Sequence, residues 1–154
     1  MENIGGDMYQ YKSCGLDGIY LENGYHETVI NGSSAVSITA LDSLHEAIAM
    51  NICSLPRSLN GKEIRFLRTE LDMSQKGLGL WIDKTDQAIA KWEKDENDIP
   101  RADDACLRNL YLDSRDKDSK LSELLKRFNE IDREMQEQEK TVFTESEEQW
   151  QVAC

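Results

Sequence analysis

Apolar positions along this chain change period once. Through residue 38 they come in short runs, at 8–11, 19–21, 25–30 and 36–38, separated by Gly15-Leu16-Asp17-Gly18, Glu22-Asn23-Gly24 and Asn31-Gly32-Ser33-Ser34. Short runs bounded by turn formers predict a small antiparallel sheet, with Asn23-Gly24 as a hairpin turn. From Leu41 the spacing becomes helical, and Leu41, Leu44, Ile48 and Ile52 share one face. Thr39 and Asp42 are arranged as a capping box before this helix, and Ser54-Leu55-Pro56 ends it.

The next stretch predicts three short helices with cap-driven corners. Asn60 and Glu63 have capping-box spacing ahead of the stripe Ile64, Leu67 and Leu71. Asp72-Met73 ends that helix, and Ser74 caps a second one containing Leu78 and Trp81. The corner Ile82-Asp83-Lys84 follows, and Thr85 caps a third helix that turns Ile89 and Trp92 inward. Asp83 tolerates a positive φ better than most residues, so a tight turn there is feasible. Trp81 and Trp92 are expected in the core, with Gly77 and Gly79 lining the space beneath Trp81. Past Pro100, Ala105, Leu107, Leu110 and Tyr111 predict a further helix of the same core. Helix, tight turn, helix is the geometry that delivers a short helix into a DNA major groove.

Ser74-Gln75, Leu78-Gly79, Ile89 and Trp92-Glu93, followed by Pro100, resemble without a gap the helix-turn-helix of the phage-repressor (Xre/Cro-like) family. The likeness covers about a third of the chain and departs at the corner, where Asp83 and Lys84 replace the family's Gly and Val. It implies a five-helix repressor-like domain whose third helix reads bases with its first turn. Those positions are Thr85, Asp86, Gln87 and Ala88, with Lys91 one turn further on and Lys84 at the corner. Gln87 suits adenine, Lys91 guanine, and the Ala88 methyl thymine. Gln75 and Lys76 would hold a phosphate at the start of the second helix. Asp86 either accepts from cytosine or serves only as an N-terminal carboxylate favoured by the helix dipole. A salt bridge from Arg68 to Glu93, fixing the reading helix, is also implied by the resemblance.

The stretch YKSCGLDGIYLENGY, followed by a helix and then the repressor-like segment, resembles the zinc-finger-like front end of antitoxins in toxin–antitoxin systems. The metal cysteines are absent apart from Cys14, so no metal is expected. This second resemblance implies an autoregulator or antitoxin-like protein whose front half meets a partner.

Beyond Lys117, Leu121, Leu124, Phe128, Ile131 and Met135 recur at 3-4-3-4, two heptads of an a/d seam with Leu125 beside it. Two readings stay open: the helix packs on its own domain, or it pairs with its symmetry mate as a dimerisation element. The acidic tail that follows, with isolated Val142, Phe143 and Trp150, is expected to be poorly ordered.

Hydrophobic content of 39% is low and charged content of 31% high, which fits exposed helices around a modest core. A net charge of −12 argues at first against nucleic acid. Its distribution changes that picture. Residues 1–56 hold one base and seven acids, residues 102–154 eight bases and fourteen acids, and residues 57–101 nine of each. Both flanks therefore carry −6, and the segment between them is neutral. Weak non-specific DNA binding and reliance on dimerisation follow, and the acidic flanks suit a basic protein partner. Cys14, Cys53, Cys106 and Cys154 lie far apart with no metal or disulfide pattern, as for reduced thiols in a cytosol. No stretch has membrane-spanning length. His26 and His45 are the only histidines and no nucleophile setting or phosphate-cradling loop appears, so an enzyme is not expected, nor a cofactor. His45, near the apolar stripe of its helix, reads as a partly buried structural residue.

The expected organisation is a mainly α chain. Residues 1–56 form a small β unit plus helix that meets a partner; 57–114 form the DNA-binding domain. An amphipathic helix over 115–138 and an acidic tail over 139–154 follow. The expected function is a cytoplasmic transcriptional regulator that binds an inverted repeat in double-stranded DNA as a homodimer. The alternative is an antitoxin or adaptor that masks a basic, toxin-like protein, with DNA binding secondary or lost.

Overall fold

Ile64, Leu67, Leu78, Ile89 and Leu107 are the largest fully buried side chains, and each belongs to a helical stripe read above. The computed structural model describes residues 8–138 and 140–153, with about half of the chain helical. Among the described residues, six helices and three two-stranded antiparallel hairpins make the fold mixed α and β, where a mainly α chain was expected. Residues 57–114 hold four helices: α2 (Gly61–Glu70), α3 (Gln75–Ile82), α4 (Asp86–Glu93) and α5 (Arg101–Ser114). A fifth, α1 (Leu41–Ser54), packs on α2 and α5 and puts Ile48, Ala49 and Ile52 into the same core.

In place of one N-terminal sheet there are two hairpins, β1 (Tyr9–Gln10) with β2 (Tyr20–Leu21) and β3 (Tyr25–Ile30) with β4 (Ser33–Ile38). The tight turn is Asn31-Gly32, not Asn23-Gly24. Its φ values of 51° and 78° are the paired positive angles of a type I′ turn. Asn23-Gly24 instead leads from one hairpin into the next, where the Thr39 N–H donates to the Gly24 carbonyl at 2.8 Å. Tyr11, Leu16 and Leu21 bury themselves in the helical core, whereas the second hairpin projects, with Val29 77% exposed.

The expected capping box of α1 does not form. Ala40, at φ 49°, is the N-cap without a side-chain cap bond, and the Thr39 hydroxyl bonds His26 Nε2 instead. Leu41 is exposed, which narrows the stripe. At the other end, Arg108 of α5 donates to the Leu55 and Arg57 carbonyls, both at 2.5 Å, and to Asp104 at 2.6 Å. Its Nη1 also donates to the Cys53 carbonyl at 3.3 Å, one of the last carbonyls of α1, which have no intrahelical donor. Asp104 also accepts the Leu59 N–H at 2.8 Å. Ala105, expected in this core, is exposed. The Asn60–Glu63 capping box of α2 forms in both directions.

The last helix, α6 (Lys120–Gln138), lies on α3 and α5. Leu125 is buried and Leu121 and Phe128 are half-buried, but Leu124, Ile131 and Met135 face outward. Trp81, expected in the core, is only half-buried and meets Phe128 edge-on at 5.2 Å. In the tail, expected to be poorly ordered, β5 (Phe143–Ser146) pairs with β6 (Gln149–Val152) around Glu147-Glu148, both at positive φ. Phe, Thr, Trp and Val within four-residue runs suit strands, which the acidic composition obscured. No helix among the described residues is long and apolar enough to cross a membrane.

Candidate nucleic-acid interface

Local capping sets the frame of α3 and α4. The Ser74 hydroxyl accepts the Gly77 N–H at 2.8 Å, and the Thr85 hydroxyl accepts the Ala88 N–H at 3.1 Å. Between the two helices Asp83 adopts the left-handed conformation (φ 56°, ψ 50°) that Asp tolerates better than most residues, and the Lys84 N–H returns to the Gly79 carbonyl. Gly79 is small because of this corner and not because of Trp81: a Cβ there would meet the Lys84 carbonyl oxygen at 2.4 Å.

One carboxylate then ties three helices together. Glu93, at the end of α4, receives Arg68 Nε at 2.9 Å and Nη2 at 2.7 Å, and Gln75 Nε2 at 2.5 Å. Arg68 also donates to the Met73 carbonyl at 2.9 Å. The pair is largely shielded, with side chains 14% and 5% exposed, so α4 is fixed by a charge-assisted network and not by a loose surface contact. Gln75 is drawn inward into this network, away from the outward position expected of a phosphate ligand. Lys76 is half-buried on the first turn of α3.

On α4 itself Ile89 and Trp92 point inward, and Thr85, Asp86, Gln87 and Lys91 are exposed, with Ala88 half-buried beside them. The side chains of Gln87 and Lys91, one turn apart on one face, make no hydrogen bond or ion pair among the described residues. Asp86 Oδ1 accepts the Gln87 N–H at 3.0 Å, a first-turn carboxylate held by the helix end. Lys84 leans towards Asp103, at 3.6 Å, which offsets part of its charge.

A side chain from outside the stretch joins this frame. Asp132 of α6 is 4% exposed and accepts from the Ser74 hydroxyl at 2.8 Å and the Ser74 N–H at 3.3 Å. Gly77 makes room for it, since a Cβ would stand 2.5 Å from its carboxylate. Asn129 Nδ2 donates to the Leu71 carbonyl, and Arg133 pairs with Asp72. No local sequence pattern marks these three residues, because their contacts depend on how α6 is rotated against α3.

His45 sits apart from this surface, between the Tyr11 hydroxyl at 2.7 Å from Nε2 and Glu70 at 2.8 Å from Nδ1. Both ring nitrogens are thus engaged within the fold, beside an open groove of about 510 Å³ that Cys14, Arg65 and Phe66 help to line. Burial pushes the Cys53 and Cys106 thiols up from their ordinary value, which disfavours the thiolate. No group of three or more His, Cys, Asp or Glu among the described residues could hold a metal ion. No protein-family model, curated protein or solved structure matches the chain.

Proposed function

We propose that this chain is a DNA-binding regulator of the phage-repressor type, in which α4 enters the major groove and two copies bind an inverted repeat. The observation that carries the proposal is the pairing of an exposed, uncommitted polar row, Gln87 and Lys91, with a helix locked from behind by Glu93, Arg68 and Gln75. A reading helix needs both, since base contacts discriminate only when their side chains are held in register. Lys84, Thr85, Asp86 and Ala88 border that row. The protein acts in the cytosol, where its spaced thiols stay reduced. Half-sites are spaced by about one helical turn, 34–36 Å. Mobility shift on the DNA upstream of its own gene tests the proposal at low salt. A shifted band lost on Gln87→Ala and Lys91→Ala supports it, and no shift with any nearby sequence counts against it.

A second reading, an adaptor or antitoxin that masks a basic protein, is favoured by a different observation. The β3–β4 and β5–β6 hairpins expose Val29, Ile30 and Trp150 on flanks that each carry −6. Co-purification with a small basic protein encoded beside the gene would favour it.

A further inference from the structure

Leu124, Ile131 and Met135 are 54%, 57% and 37% exposed on α6, although the same helix buries Leu125. Together with the half-buried Phe128 they form one outward stripe about 17 Å long at 1.5 Å per residue. Nothing among the described residues covers the three exposed members. The charge on this helix is polarised. Setting aside Arg133, paired with Asp72, and Asp132, bound to Ser74, the first half carries Lys120, Lys126 and Arg127 against Glu123. The second half carries Glu130, Glu134 and Glu137 and no base, so the halves hold +2 and −3. None of these seven side chains forms an ion pair among the described residues.

We propose that this stripe pairs with α6 of a second copy of the chain, running antiparallel about a two-fold axis. The proposal rests on the dimer invoked above and specifies its surface and direction. Antiparallel packing sets Phe128 against the partner's Ile131 and Leu124 against the partner's Met135, so each apolar residue finds an apolar neighbour. It brings Arg127 within about two residues, roughly 3 Å along the axis, of the partner's Glu134. Lys120 meets the partner's Glu137 in the same way, and symmetry repeats both contacts. A parallel pair would instead align the basic halves with each other and the acidic halves with each other, which costs free energy. The contact is small, so the dimer is weak, concentration-dependent and sensitive to salt.

Sedimentation equilibrium on the full chain, across concentration and at low and high salt, tests this. The expected result is a reversible monomer–dimer equilibrium that Leu124→Glu with Ile131→Glu weakens at least tenfold, with unchanged circular dichroism. Lys120→Glu with Arg127→Glu should weaken it by a similar factor, and adding Glu134→Lys with Glu137→Lys should restore it. An unchanged dimer in the Leu124/Ile131 variant would overturn this surface while leaving a dimer through another face. A dimer that tolerates or gains from the Lys120/Arg127 reversal would overturn the antiparallel direction. A chain that stays monomeric at every concentration would sink both the inference and the dimer on which it rests.

Discussion

The Ser74 hydroxyl accepts the Gly77 N–H and donates to the Asp132 carboxylate, both at 2.8 Å, so one atom caps α3 and tethers α6. Removing it affects two elements at once. Ser74→Ala should cost about 2–4 kcal/mol, the loss of a cap plus a buried carboxylate short of a donor. Thr85→Ala, at an exposed corner with only a cap to lose, should cost about 1 kcal/mol. Urea midpoints of the two variants check the difference, and equal losses would mean that the Asp132 contact contributes nothing.

Gly77 supplies an independent check of the same contact. Alanine in place of glycine within a helix normally stabilises by about 1 kcal/mol. Here its Cβ would stand 2.5 Å from Asp132, so Gly77→Ala should destabilise. In an Asp132→Ala background the sign should reverse towards the ordinary helix preference. A double-mutant cycle with no coupling would place Asp132 elsewhere.

Removal of one partner from the Arg68–Glu93 pair leaves a shielded, uncompensated charge and should cost about 3–5 kcal/mol. Glu93→Ala should also free Gln75 and loosen α4, reducing DNA affinity as well as stability. Replacing both members with apolar residues of similar size should cost less than either single change.

These positions divide by what the sequence made legible. Caps act within a few residues, so Asn60, Ser74 and Thr85 could be read directly, whereas the corner at Asp83 was marked by the family resemblance and only its feasibility by the residue. The Arg68–Glu93 pair came through the family resemblance. What depended on distant packing was not legible: which Asn-Gly pair closes a hairpin, the cap of α1, and the rotation of α6 that sends Asp132 inward and Ile131 outward. The inward turn of Gln75 has the same origin, since its partner lies at the far end of α4.

Alkaline pH offers a further measurement. Burial, followed by nearby negative charge, raises the Tyr11 and Tyr111 phenols, and burial raises the Cys53 and Cys106 thiols. A group whose folded pKa is raised releases its proton more readily when unfolded, so the stability it contributes is full at neutral pH. That contribution is lost as pH climbs beyond the ordinary thiol and phenol range of about 8.5–10. The urea midpoint should therefore fall between pH 7 and 10.5, less steeply in Tyr111→Phe. An identical slope in that variant would contradict the assignment. Alkylation of Cys53 and Cys106 should be slower in the folded chain than in urea.

The most direct test of α4 as a reading helix is selection of binding sites from random duplex DNA at low salt, repeated with Gln87→Ala and Lys91→Ala. The expected result is enrichment of an inverted repeat whose half-sites lie about 10–10.5 base pairs apart. Each substitution should relax the preference at particular bases, at a cost of about 1–3 kcal/mol, without altering the urea midpoint. No enriched sequence, or an enriched sequence indifferent to both substitutions, would contradict it.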